Sequence, residues 1–157
     1  MYTHRLLQSG DYAAVCALPQ NEEELYYMFP RATYPLTPEQ VEASLENRLE
    51  PTVVLQNGQI VAYANLYGHD GESCWLGNVI VAADYRGKGA ARYLLDTMES
   101  VARHKLNVNR LKLVCHNTNT RALLFYTKQG YKPYDVSLRM KPSGETLAGI
   151  LMEKMLE

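Results

Sequence analysis

A short β-branched run, Val79-Ile80-Val81, leads through a polar link into Arg86-Gly87-Lys88-Gly89-Ala90-Ala91, and an amphipathic stretch follows directly. After the glycines, Ala91, Leu94, Leu95, Met98, Val101 and Ala102 recur at offsets 0, 3, 4, 7, 10 and 11. That spacing is one face of a 3.6-residue period, with Arg92, Asp96, Glu99 and Arg103 opposite, so it predicts a helix. A strand therefore hands over to a helix across a glycine-rich turn. The first N–H groups of a helix have no partner within it and carry partial positive charge. Small residues leave them uncovered, which makes the segment a cradle for a phosphate or pyrophosphate.

Three phosphate ligands compete for such a turn. A nucleoside-triphosphate loop needs two glycines five apart, followed by Lys and then Ser or Thr. Here Lys88 precedes Gly89 and Ala90 follows it, so the pattern fails. A dinucleotide turn needs a third glycine where Arg92 stands, and the run Leu111–His116 lacks an acidic residue to hold a ribose. The remaining pattern is R-x-x-G-x-A, met by Arg86, Gly89 and Ala91.

Further along, Asn119, Ala122, Tyr126, Lys128, Gly130 and Tyr131 stand in a second register. Asn117, Thr118 or Asn119 can cap a helix there, Ala122 and Tyr126 share a face at i, i+4, and Gly130 suits a left-handed helix end. In these two motifs, one helix and one strand apart, the chain resembles the GNAT superfamily of acetyl-CoA-dependent N-acetyltransferases. The resemblance extends less specifically over nearly the whole chain. It implies an α/β fold with a mixed, mostly antiparallel central sheet of about seven strands flanked by helices. It also implies acetyl-CoA as co-substrate.

Length and composition fit one domain over residues 1–157. The net charge of −1 points to neither nucleic acid nor a membrane surface, and no apolar run is long enough to span a bilayer. Cys16, Cys74 and Cys115 are odd in number and widely spaced, which favours free thiols in a cytoplasm. The four histidines show no metal-ligand spacing, and no metal is expected. Charge is uneven along the chain. Residues 84–132 hold ten Lys or Arg against three Asp or Glu, a balance of +7 that suits a polyanionic co-substrate. Residues 20–50 hold seven Glu against two Arg, a balance of −5, which would help attract a cationic acceptor.

The remaining elements follow from local signals. A strand is expected over Tyr2–Leu7 and a helix from Ser9-Gly10-Asp11 through Leu18. Thr37-Pro38-Glu39-Gln40 combines an N-cap, a first-turn proline and a capping-box Gln, and opens a helix to about Leu49. Thr52–Gln56 and Gln59–Leu66 flank Asn57-Gly58, a hairpin signal. Strands are expected over Ser73–Val81, Leu111–His116, Tyr131–Met140 and Leu147–Met155, the last by resemblance although its propensity also suits a helix. The resulting order is βααβββαβαββ. Residues 25–36 are aromatic, proline-broken and aperiodic. They read as a link that either packs on the core or walls the acceptor site.

The resemblance assigns roles. Backbone at Val79, Ile80 and Val81 would pair with the pantetheine arm, and an N–H there, first of all that of Val79, would bind the thioester oxygen. Arg86, Gly87, Lys88, Gly89, Ala90 and Ala91 would hold the pyrophosphate, and Asn119 would hydrogen-bond the co-substrate arm. Tyr126 would be the general acid, since a phenol is protonated at neutral pH. A general base is not legible: Trp75–Val81 and Leu111–Cys115 carry no carboxylate, which leaves Glu72, Glu24 and His116. The expected reaction acetylates a primary amine of a small molecule or an amino-acid-like acceptor, by a monomer or homodimer. A protein N-terminus or lysine is an alternative acceptor. A domain that binds acyl-CoA without catalysis is the rival from another class.

Overall fold

A computed structural model describes residues 1–157. The elements run β1 (Tyr2–Leu6), α1 (Tyr12–Cys16, preceded by a 3-10 turn), α2 (Glu22–Met28), α3 (Pro38–Ser44), β2 (Leu49–Gln56), β3 (Gln59–Tyr67) and β4 (Ser73–Val81). They continue as α4 (Ala90–His104), β5 (Arg110–His116), α5 (Thr120–Lys128), β6 (Lys132–Met140) and β7 (Thr146–Met155). All seven strands form one sheet in the order β1-β2-β3-β4-β5-β7-β6, with β4 and β5 its parallel pair. The expected fold class holds.

Alternating strand residues build a core on each face. Ala62, Ala64, Leu66, Leu76, Leu111 and Leu113 pack under Leu94, Leu95 and Met98 of α4 and Tyr126 of α5. Val53, Tyr63 and Ile80 pack under Val15 of α1, Leu25 and Met28 of α2 and Val41 of α3. The periodic face of α4 is thus the buried one, as its spacing predicts. No helix is long and apolar enough to cross a membrane.

Two expectations are corrected between β1 and β2. Three helices stand there, not two, because the first half of the aromatic stretch folds as α2. Its signal is local: Asn21 accepts the Glu24 N–H at 2.9 Å, and Glu22, Glu23 and Glu24 fill the first turn, where acid is favoured. The helix opened by Thr37 also ends at Ser44, and Leu49 already belongs to β2. Thr37 and Pro38 cap it as read, but Gln40 does not close a box. Its amide instead accepts from the Thr33 N–H at 2.7 Å and donates to the Thr33 and Pro35 carbonyls, pinning the preceding loop.

The feature that shapes the site is a bulge in β4. Tyr63 pairs with Ile80 and Asn65 with Gly77, so β4 carries one residue more than β3 between these pairs. Asn78 absorbs it with φ +52°, a left-handed geometry that Asn tolerates. Its buried side chain donates to the Met28 carbonyl at 2.7 Å and accepts from the Asn65 amide at 2.8 Å. Asn78→Val combines a strained β-branched residue with orphaned buried polar groups. Its expected cost is about 2–4 kcal/mol, read from the urea unfolding midpoint at fixed m-value. A loss under about 0.5 kcal/mol would show that other contacts hold the bulge.

Candidate active site

The glycine turn has the geometry its sequence predicts. Gly87 (φ +74°) and Gly89 (φ +88°) are both left-handed, and Gly89 caps α4 without a side chain. The N–H groups from Gly87 to Arg92 donate to no protein acceptor. The Tyr2 hydroxyl donates to the Lys88 carbonyl at 2.9 Å and ties the turn to β1. An exposed run of unpaired donors at a helix start fits a pyrophosphate. Lys88 is exposed beside it, its ammonium 5.9 Å from the centre of the Tyr85 ring.

Arg86 is placed differently from its neighbours. Its Nε donates to the Val81 carbonyl at 3.2 Å, and its two terminal nitrogens donate to the Glu24 carboxylate at 3.2 and 2.8 Å. Its own N–H bonds the Ala83 carbonyl. The guanidinium is therefore a strut from the end of β4 to α2. The Arg86 hydrogen bonds hold the Glu24 carboxyl below its ordinary value. A depressed folded pKa means that this stabilisation is complete above the unfolded value near 4.5 and is lost as pH falls through the folded one. The melting-temperature gap between wild type and Glu24→Gln should therefore close on acidification from pH 7 to below 4.5. A pH-independent gap would mean that the pair acts by packing alone.

Beyond the turn, the sheet opens. β4 and β5 pair only through Ser73–Arg110, Cys74–Leu111 and Trp75–Lys112, and then part, while β5 stays with β7 as far as His116. The bulge bends β4 away, and Val79 falls outside its register with β3. Val79, Val81, Ala90, Ala91 and Tyr126 belong to one apolar cluster on the α4 side, whereas Ile80 points to the other core. Tyr126 is buried against Tyr131, ring centres 5.8 Å apart, with its hydroxyl on no protein hydrogen bond. Burial pushes its pKa well above the usual phenol value, so it stays protonated. Asn119 caps α5 by accepting the Ala122 N–H at 3.4 Å, which leaves its amide nitrogen free.

On the opposite face, His116 ends β5 at 6% exposure with its ring on no protein hydrogen bond. It packs against Tyr26 and Tyr27 of α2 with tilted rings, at 4.9 and 5.7 Å between ring centres. Tyr27 in turn shares a 2.7 Å hydrogen bond with Thr118. Burial, then Arg139 and Lys141, lower the His116 pKa from 6.5, so its imidazole is neutral at pH 7. Of the other two carboxylate candidates, Glu24 is held by Arg86, and Glu72 lies at the closed N-terminal end of β4, away from the opening.

One group escaped the sequence reading. Arg48 donates to Asn65 at 3.2 Å, and Asn65 donates to Tyr63 and Asn78. Asparagines inside strand runs, at 65 and 78, were the available signal, since strands disfavour them.

A sequence model of the acetyltransferase (GNAT) family matches residues 16–131. The chain belongs to this family. Its acyltransferase chemistry follows, and the family uses acetyl-CoA. A comparison with curated proteins gives no match. Among solved structures, the fold is similar to the ribosomal-protein-S18-alanine N-acetyltransferase of Escherichia coli, with TM-score 0.77, 22% identity, and coverage of 100% of this chain and 95% of that one. It is also similar to the spermidine N-acetyltransferase of Vibrio cholerae in complex with CoA and spermine, at TM-score 0.81 and 19% identity, covering 99% and 95%. A putative phosphinothricin N-acetyltransferase matches at TM-score 0.79 and 22% identity, covering 100% and 99%. At these identities the likeness is one of fold. In this acetyltransferase the unpartnered N–H groups of the Gly87–Gly89 turn and the opening between β4 and β5 fit the pyrophosphate and arm of the family's co-substrate.

Proposed function

We propose that this chain, as a single domain over residues 1–157, moves an acetyl group from acetyl-CoA to a primary amine of a small molecule or an amino-acid-like acceptor. Direct attack within a ternary complex is the route, and a cytoplasmic monomer or homodimer is the form. The observation that carries the reading is the row of unpartnered N–H groups at the start of α4, beside an opened strand pair and the free Tyr126 hydroxyl. Three unbridged cysteines support the cytoplasmic placement.

Acetyl-CoA supplies an activated thioester; the protein supplies position, charge and protons. The N–H groups from Gly87 to Ala91, with the Lys88 ammonium, bind the pyrophosphate. Backbone of Val79, Ile80 and Val81, on the stretch of β4 that β5 has left, and the Asn119 amide hold the arm. The Val79 N–H, beside the bulge in β4, is the donor for the developing oxyanion. Tyr126 donates its proton towards the leaving sulfur. An alkyl amine of pKa near 10.4 is neutral in about one molecule in two thousand at pH 7, so a base is needed. Neutral His116, unpartnered at the mouth of the opening, takes that proton directly or through water.

Thiol release from acetyl-CoA across amines, amino acids, aminoglycosides and short peptides tests the whole. Turnover is expected with a small acceptor, together with an acid limb in kcat/KM at or below 6.5 that His116→Gln abolishes along with most of the rate. A preference for peptides alone would move the reading to a protein acetyltransferase. Acetyl-CoA binding without turnover on any acceptor would leave a non-catalytic acyl-CoA binder.

A further inference from the structure

The sheet face around His116 is lined with cations that have no counterion. Arg48 lies across Gly77 of β4, where a Cβ would collide with its Nη1, and its guanidinium sits 4.1 Å over the Tyr67 ring. Arg139 lies across Gly149 of β7, where a Cβ would come within 2.8 Å of its Nε. Glycine inside a strand weakens it, and here two of them make room for two guanidinium groups on one face. Tyr67, under the Arg48 guanidinium, also lies within electrostatic reach of Arg139. Arg31 lies within electrostatic reach of Arg48, and the Lys141 ammonium sits 5.3 Å over Tyr26, the ring tilted against His116. None of these four cations takes part in a salt bridge.

Two of the acids that could answer them are engaged elsewhere. Of the glutamates in residues 20–50, Glu24 is bound by Arg86 and Glu50 by Lys105 at 2.6 Å, while Glu22, Glu23, Glu39, Glu42 and Glu46 are exposed. None of the seven forms an ion pair with Arg31, Arg48, Arg139 or Lys141. Further along, one carboxylate is ion-paired and one is exposed. Glu153 faces Arg110 at 3.7 Å, and Asp135 accepts the Val136 N–H. Arg48 is half-buried and Arg139 exposed, its Nε on the Ser137 hydroxyl; for the half-buried guanidinium the missing counterion is costly, and an anionic ligand removes that cost.

We infer that the acceptor is an aminocarboxylate, its oxyanion held by Arg48 and Arg139 and its amine directed to His116. This rests on the acetyltransferase reading and narrows it to amino-acid-like anions, away from polyamines.

The test is kcat/KM for thiol release with each of the twenty amino acids and its matched α-amide, plus spermidine, alongside calorimetric binding of acetyl-CoA. The amide carries the less basic amine, so intrinsic reactivity favours it. At least one acid should nonetheless exceed its amide by about tenfold or more, and Arg139→Gln should cut that acid-to-amide ratio about ten- to a hundredfold with acetyl-CoA affinity retained. Arg48→Lys, which keeps the charge but loses the planar fork, should lower the ratio less than Arg48→Met. Bound acetyl-CoA with preference for spermidine or the amides overturns the inference. So does silence from every acid. Failure to bind acetyl-CoA would overturn the underlying acetyltransferase reading instead.

Discussion

Tyr126→Phe should lower kcat by about 10²–10³-fold while leaving the acetyl-CoA dissociation constant within about twofold of wild type. The substitution removes one oxygen from a ring that is otherwise packed against Tyr131 and Phe125. That oxygen bonds nothing in the protein, so no buried partner is orphaned and the fold should not suffer. The melting temperature should therefore stay close to that of wild type while the rate collapses. Burial holds the phenol protonated across the neutral range, so it enters each turnover as a donor, and the loss should be the same at pH 7 and pH 9. Single-turnover thiol release and calorimetric titration separate the two quantities. An unchanged rate would remove Tyr126 from the reaction and leave it a core residue at the foot of α5.

Gly89→Val should weaken acetyl-CoA binding at least about a hundredfold, for two reasons that can be told apart. The backbone there has φ +88°, which a β-branched residue tolerates only with strain on the order of 1–3 kcal/mol. The added side chain also covers N–H groups that otherwise face the phosphates. Gly58 at the β2–β3 hairpin tip has φ +76° and open space around it, so Gly58→Val carries similar strain far from the turn. Both variants should lose stability, but only Gly89→Val should lose binding. The thermal shift offers a second readout: acetyl-CoA at a hundredfold its dissociation constant adds about 2.7 kcal/mol to a competent protein and little to the variant. Equal affinity in the two variants would refute the phosphate cradle.

The Gly87–Gly89 turn, the helix after it and the second motif around Tyr126 were legible because each is written in consecutive residues. Periodicity at 3.6, left-handed glycines and caps are local physics. The Asn57-Gly58 hairpin, with φ +52° and +76°, belongs with them. The choice of strand for residues 147–155 was different: local propensity allowed a helix, and the resemblance decided correctly. Misses came where a local signal was weak or tertiary contacts redirected it. α2 hid in aromatic residues whose periodicity is interrupted by Pro30, although Asn21 and three glutamates marked its start. Gln40, placed for a capping box, found better partners in the loop before it.

The sequence by itself determined the order of most elements, the family, and the glycine turn and Tyr126 on which the proposed phosphate and proton roles rest. Those properties depend on neighbours in the chain. Only the tertiary structure decided which charges are free. Arg86 looked like a phosphate ligand until α2 brought Glu24 to its fork. The glutamates of residues 20–50 looked like an attraction for cations. The fold binds two of them, exposes the others, and leaves Arg31, Arg48, Arg139 and Lys141 without an ion pair. A charge acts through the distance to its partner, and residues 24 and 86, or 48 and 139, become neighbours only when the sheet closes between them.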